Sequence, residues 1–349
     1  MIRITLALAV AIAPVLAENE VTSPVAGKTV KVLTVGNSFA RNATTFLPQM
    51  AEAGGHDLLL FLANPGGCAL KKHAGWIEAH GKDPESPEGK PYPAAFVPPR
   101  EDVPEGKMHS LAESLAAEDW DFVTIQQVSL LSFKGESFEP YAETIIDCIR
   151  ENAPGAEILI HQTWAYREDY PGFASGKFTQ TMMFDQLDAN YRSLAQTYGL
   201  RVIPVGKAFQ EARSLPRWTF RFPDPDFNYK SPEPDTKPDQ TGSLNVGWTI
   251  RKVVKKANKA VDDATEEGGL DAAPEEVVTY KASLDYKHCN LEGQFLGGAV
   301  WYGFLFGEKV SANTFLPQWV EPEDVSTLRG IADQVLADYR QVPPSSGGD

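Results

Sequence analysis

Ser38 stands in the block V-G-N-S-F-A, residues 35–40, directly after an apolar, β-branched run. A hydroxyl just past a buried strand and ahead of a helix lies at the rim of a sheet. Helix amides there favour developing negative charge. Far along the chain, L-D-Y-K-H-C-N places Asp285 and His288 three residues apart. In a turn entering a helix, that spacing lets a carboxylate orient an imidazole. The imidazole can then take a proton from Ser38 and return it to a leaving group. Together the three side chains have the makings of nucleophilic acyl transfer.

Two more blocks offer hydrogen-bond donors. N-P-G-G-C-A, residues 64–69, sets paired glycines after an apolar run. Such a turn leaves backbone N–H groups accessible, and that of Gly67 joins the N–H of Ser38 as a candidate oxyanion donor. I-Q-Q-V-S, residues 125–129, closes another run. Adjacent side chains of an extended chain point to opposite sides, so one glutamine faces the site; Gln127 is favoured over Gln126. Candidate substrate contacts are Asn37, Gln126, His73, His161 and Trp164. His73, in L-K-K-H-A-G-W, either meets substrate with Lys72 and Trp76 or belongs to a structural helix. His161, in I-H-Q-T-W-A-Y, ends a strand and so points toward the active rim. Trp76, Trp164 and Trp248 are candidate sugar-stacking platforms. No His-Glu-x-x-His or Cys/His cluster appears, so neither a metal nor a cofactor is expected. The acids of 224–239 lack EF-hand spacing and read as a solvated loop.

Positioning these groups requires a sheet. Five short apolar runs, 30–35, 58–62, 122–126, 157–161 and 202–205, lack clean alternation, which suits parallel strands covered on both faces. Helical patterns lie between them: one capped by Thr45 and running to Ala53, then 108–118, 139–152 and 184–198. Asn290 caps a further helix, and 323–340 forms the last. The alternation predicts a three-layer α/β/α sandwich, flavodoxin-like, with about five parallel strands and active residues at their carboxyl ends. Two long insertions interrupt it, at about 81–106 and 213–281; the second contains a helix-like basic stretch over 248–260.

The chain has 349 residues, 42% of them apolar, and 47 acidic against 32 basic residues give a net charge of −15. It lacks the positive field that nucleic acid requires. Residues 1–17 have a charged start, an apolar run and a small-x-small end at Ala17, and so predict a signal peptide. The apolar run is short for a membrane span, so a periplasmic or secreted protein is expected, without a stable membrane span. An oxidising compartment permits Cys68 and Cys289 to pair, while Cys148 reads as a buried helix residue. One domain should cover 27–341, with a flexible tail at 342–349.

The blocks together resemble the SGNH (GDSL-like) hydrolases, over residues 30–307. The similarity is greatest to a bacterial branch of uncharacterised function marked by V-G-N-S-F, G-G-C-x-L-x-x-H, H-Q-T-W-A-Y and W-Y-x-x-L-F-G. The resemblance implies Ser38 as nucleophile, Gly67 in the oxyanion hole, and Asp285 with His288 as the acid–base pair. Asn37 stands where that superfamily usually has aspartate, and Q-Q-V-S replaces its Gly-x-Asn block. The implied activity is that of a serine esterase on a glycan or small-molecule ester; export, Trp76, Trp164 and Trp248, and the lack of a long apolar lid point to an O-acetyl ester on a carbohydrate as its substrate. A lipase- or thioesterase-like hydrolase, or a non-catalytic carbohydrate-binding protein, are the alternatives.

Overall fold

The computed structural model describes residues 27–104, 106–240, 242–256 and 276–339. The leader expected at 1–17 and the tail expected at 342–349 lie outside the described residues. In chain order the strands are β1 (Thr29–Val35), β2 (Asp57–Ala63), β3 (Tyr92–Pro93), β4 (Phe96–Val97), β5 (Met108–His109), β6 (Phe122–Ile125), β7 (Glu157–His161), β8 (Arg201–Ile203), β9 (Asn245–Lys256) and β10 (Glu276–Cys289). The helices are α1 (Ser38–Ala43), α2 (Leu47–Ala53), α3 (Leu70–Lys82), α4 (Leu111–Leu115), α5 (Tyr141–Asn152), α6 (Gln180–Tyr198), α7 (Val205–Arg213), α8 (Leu291–Phe306) and α9 (Pro322–Asp338).

The central sheet has the order β4-β2-β1-β6-β7-β8. All five expected strands are present and pair in parallel. Their apolar residues are buried without alternation because helices cover both faces, giving the expected α/β/α architecture. The sixth strand, β4, comes from the insertion at 81–106, expected to be loop, and adds to β2 antiparallel. It is only two residues long, and Pro98 follows it directly, so no periodic signal marks it.

Four expectations about local structure are corrected. The basic stretch over 248–260 is not helical: as far as it is described, it is strand β9. Its Thr249, Ile250, Val253 and Val254 are β-branched and pair across to β10. Asp285 and His288 therefore lie on β10, not in a turn entering a helix. A register shift between Asp285 and Cys289 supplies the bend. Thr45 does not cap a helix; its hydroxyl donates to the Arg41 carbonyl, and α2 starts at Leu47 with Pro48 in its first turn. Helix α6 begins before Phe184, at Gln180, capped by the Thr179 hydroxyl.

Helix α8 brings the two ends of the chain together. Asn290 caps it as expected, its side chain accepting from the Gly293 N–H. The helix is buried nearly all round. It rests on α1 through Gly297, where a Cβ would sit 2.8 Å from the Ala43 Cα. A side chain there would push apart the helix headed by Ser38 and the one that follows His288.

Candidate active site

Parallel strands end at one edge, and β1, β2, β6 and β7 deliver their following residues there. Ser38 is the first residue of α1. Asn37, extended at φ −154°, is the cap, and its Oδ1 accepts from the Phe39 N–H at 3.1 Å. Ser38 Oγ lies 2.9 Å from His288 Nε2, across 250 positions of sequence. His288 Nδ1 lies 2.8 Å from Asp285 Oδ2. The other carboxylate oxygen accepts the backbone N–H groups of His288 (3.0 Å) and Lys287 (3.2 Å). Burial alone would raise the Asp285 carboxyl. The hydrogen bonds from the His288 ring and backbone outweigh it and hold the group at about 2. An ionised carboxylate only accepts, so Nδ1 carries the proton and Nε2 turns its lone pair to the serine hydroxyl.

Asn37, Ser38, Phe39, Gly66, Gly67, Val128, Ser129, Lys287 and His288 line an open cleft of about 260 Å³. Gly67 holds φ +64°, a left-handed conformation suited to glycine, and aims its turn at the cleft. Among the described residues, no group accepts from the backbone N–H of Ser38, Gly67 or Ser129. Three donors are thus free on one cleft.

Several expected site residues stand elsewhere. Gln127 does not complete an oxyanion hole: it is fully buried and spent on the loops behind the site. Its Oε1 accepts from the Leu70 and Val128 N–H groups, and its Nε2 donates to the Ser137 carbonyl. Ser129, two residues on, reaches the cleft instead; the Q-Q-V-S block held it, but side-chain alternation drew attention to the glutamines. His73 does not touch substrate. It is fully buried, with Nε2 donating to the Gly36 carbonyl at 2.9 Å, so Nδ1 accepts from the Tyr92 hydroxyl at 2.7 Å. Trp164 is no sugar platform. Its ring stacks on Phe39 with centroids 4.2 Å apart, and its Nε1–H donates to the Lys287 carbonyl at 2.8 Å. That indole bridges the serine block and the aspartate–histidine loop.

Asn37, Gln126 and His161 are also internal, and their polarity can be derived from the backbone outward. Phe39 N–H must donate, so the atom of Asn37 facing it is Oδ1, and Nδ2 donates to the Cys68 carbonyl at 2.9 Å. Gln126 must then offer Nε2 to the same Oδ1 at 2.9 Å, which turns its Oε1 to His161 Nδ1 at 2.7 Å. His161 therefore carries its proton on Nδ1. This chain ties the serine turn to the Gly67–Cys68 turn from behind. Two further ties join segments far apart in the chain. Asn42 Oδ1 accepts from the Cys289 N–H at 3.0 Å, and Asn245 Nδ2 donates to the Lys287 carbonyl at 3.2 Å. No short spacing announces either.

Burial holds His73 at about 4 and His161 at about 3. Both are neutral when folded, whereas an unfolded histidine gains a proton near pH 6.5. The unfolded state binds more protons below that pH, so stability is fully present above about 6.5 and declines toward the folded values. Denaturation titrations should show a loss of about 1 kcal/mol per pH unit for each ring between pH 6 and 4. A shallower decline in His73→Gln with His161→Gln than in the wild type, the remaining slope coming from carboxylates held below their ordinary values, is the expected contrast.

Cys68 and Cys289 are both buried and unpaired. Burial pushes the Cys68 thiol up to about 12 and Cys289 well above its ordinary value, so neither is a ready nucleophile. Among the described residues no cluster of three or more His, Cys, Asp or Glu could hold a metal. No helix there is long and apolar enough to cross a membrane.

The model of the family described as a domain of unknown function, DUF4886, matches residues 31–217, and the chain belongs to that family. The match includes Ser38, Gly67 and Ser129; Asp285 and His288 lie beyond its end. Among solved structures, the chain is similar to a DUF4886 family protein from Bacteroides uniformis, with 21% identity and a TM-score of 0.61. That alignment covers 92% of this chain and all of the other. It is also similar to a proposed SGNH hydrolase from Slackia heliotrinireducens (19% identity, TM-score 0.35, covering 52% of this chain and 83% of that one). A proposed GDSL-like lipase from Parabacteroides merdae aligns at 12% identity and a TM-score of 0.35, over 55% of this chain and 85% of its own. No curated protein matches the chain.

Proposed function

We propose that this member of the DUF4886 family is a serine hydrolase that removes short acyl groups, O-acetyl above all, from carbohydrate through an acyl-enzyme. One observation carries the reading: the line from Ser38 Oγ through His288 to an ionised Asp285, opening on a cleft with free amide donors. In the first step Oγ attacks the ester carbonyl and its proton passes to His288 Nε2. The oxyanion is held by the N–H groups of Ser38, Gly67 and Ser129. The imidazolium, steadied by Asp285, returns the proton to the departing sugar oxygen as the ester bond breaks. Water then attacks the acyl-serine by the same route in reverse, releasing the acid and restoring Oγ–H.

The cleft, at about 260 Å³, is smaller than the usual ligand pocket of roughly 300–1,000 Å³. A cleft of that size accommodates an acetyl group, which supports the short-acyl esterase reading. The leader-like residues 1–17 support export, which fits a glycan substrate outside the cell. A fluorophosphonate probe tests the mechanism. Mass mapping should find one adduct, on Ser38, and none after denaturation. No adduct, with intact binding of glycans, would favour the carbohydrate-binding alternative.

A further inference from the structure

Three tyrosines with no part in the acyl transfer stand together beside the cleft. Tyr166 and Tyr170 follow β7, and Tyr286 sits on β10 between Asp285 and Lys287. Ring centroids are 5.0 Å apart for Tyr166 and Tyr170, 5.0 Å for Tyr166 and Tyr286, and 4.5 Å for Tyr170 and Tyr286. No pair is stacked: the planes meet at 74°, 63° and 43°, as the walls of a corner do. Tyr166 is buried, while Tyr170 and Tyr286 are only partly so.

Two joins fix this corner to the active site. The Tyr166 hydroxyl lies 2.9 Å from Ser129 Oγ, and Ser129 lines the cleft. Burial pushes that phenol up to about 12, so it keeps its proton, and among the described residues Ser129 Oγ is its one acceptor. A buried donor takes the acceptor it has, which leaves the Ser129 hydroxyl hydrogen for the cleft. At the other wall, the Tyr286 carbonyl accepts from the Arg167 N–H at 2.8 Å, and the Lys287 carbonyl accepts from Trp164 Nε1–H at 2.8 Å. Tyr286 is therefore held in the same braced stretch as His288.

The place of the corner agrees with the chemistry. The departing oxygen must take its proton from His288 Nε2, so the alcohol half of an ester lies on the side of the cleft where His288 and Lys287 stand. Tyr286 extends that side. The hydroxyls of Tyr170 and Tyr286 have no hydrogen-bond partner among the described residues. The corner thus offers apolar ring surfaces edged by free hydroxyls, and a pyranose offers the complement, an apolar C–H face with a hydroxyl rim. We propose that Tyr170 and Tyr286 form the subsite for the sugar ring that carries the ester. The proposal deepens the hydrolase reading and rests on it for the placement of that ester. An acyl chain fits the corner less well, because it would strip water from both hydroxyls and return no hydrogen bond.

The test compares glucose pentaacetate, whose alcohol half is a pyranose, with triacetin, whose alcohol half has no ring. In Tyr286→Ala the ratio of kcat/KM for the first to that for the second should fall about tenfold or more, chiefly through KM. Tyr286→Phe keeps the ring and should hold the ratio within about threefold of the wild type. Tyr170→Ala, in a separate segment, should lower the ratio as Tyr286→Ala does, so either variant can decide. An unchanged ratio, with both esters slowed together, would mean that Tyr286 only braces His288 and would overturn the subsite. So would a Tyr286→Ala penalty that grows from ethyl acetate to ethyl hexanoate, which would put the acyl chain in the corner. Calorimetric titration with cellotriose and xylotriose needs no cleavage. The wild type should bind at least one of them, and Tyr286→Ala should bind it about tenfold more weakly. Binding of neither, or equal binding by the two proteins, would also overturn the subsite. If the wild type cleaves no ester while the titration succeeds, the hydrolase reading fails and the sugar subsite stands.

Discussion

Replacing Ser38 by alanine should lower nitrophenyl acetate turnover by about 10⁵-fold or more, toward the residual rate that binding and oxyanion donors alone sustain. The substitution removes the attacking atom and leaves everything around it. Asn37 still caps α1 through the Phe39 N–H, and the free N–H groups of Ser38, Gly67 and Ser129 belong to the backbone. Ser38 Oγ is only part-buried, and its one hydrogen-bond partner among the described residues is His288 Nε2, so its loss leaves no group stranded in the core. Thermal unfolding should therefore shift by no more than a few degrees. The pairing of near-total loss of turnover with an intact fold separates a nucleophile from a structural serine. An alanine variant that keeps even a tenth of wild-type turnover would remove Ser38 from the mechanism.

The sequence made the scaffold legible wherever one chemical signal dominated. Apolar runs with both faces covered revealed all five parallel strands, and the Asn290 cap marked the start of α8. It was less legible where two signals competed. Residues 248–256 alternate charges with β-branched residues, and the partner strand that decides between helix and ribbon lies some thirty positions away. At the site, Ser38, Asp285 and His288 were visible as residue types at telling spacings. What no spacing reveals is which polar side chains face inward. His161, Gln126, Gln127 and Trp164 lie at or just past strand ends and His73 lies in the first turn of α3, where substrate contacts could stand, yet each is buried and spent on holding a carbonyl or an amide. The chemistry is local to three residues, while the rigidity that aims it is spread over contacts between distant segments, as Asn42 to Cys289 shows.

The second large effect belongs to Asp285→Asn, a change of nearly equal size and shape. An asparagine there can keep its oxygen on the Lys287 and His288 N–H groups, since those donors demand an acceptor. Its Nδ2 then occupies the place of the oxygen that faces His288 Nδ1. An amide NH₂ cannot accept a proton, so the imidazole must turn a lone pair to it and carry its own hydrogen on Nε2. That hydrogen points at Ser38 Oγ, where a base is needed. Turnover should fall by about 10⁴-fold at neutral pH, with little change in KM. The pH dependence follows from the same carboxylate. Because the wild-type group is held at about 2, below its ordinary value, its contribution to stability is present above the usual carboxylate range and is lost as pH falls toward 2. The stability gap between wild type and Asp285→Asn should therefore narrow from pH 5 to pH 2. Between pH 5 and 9 the carboxylate stays charged, so Asp285 itself gives wild-type activity no acid limb there. A variant retaining most of its activity would show that His288 needs no carboxylate to choose its tautomer, and Asp285 would then be only a brace for the loop.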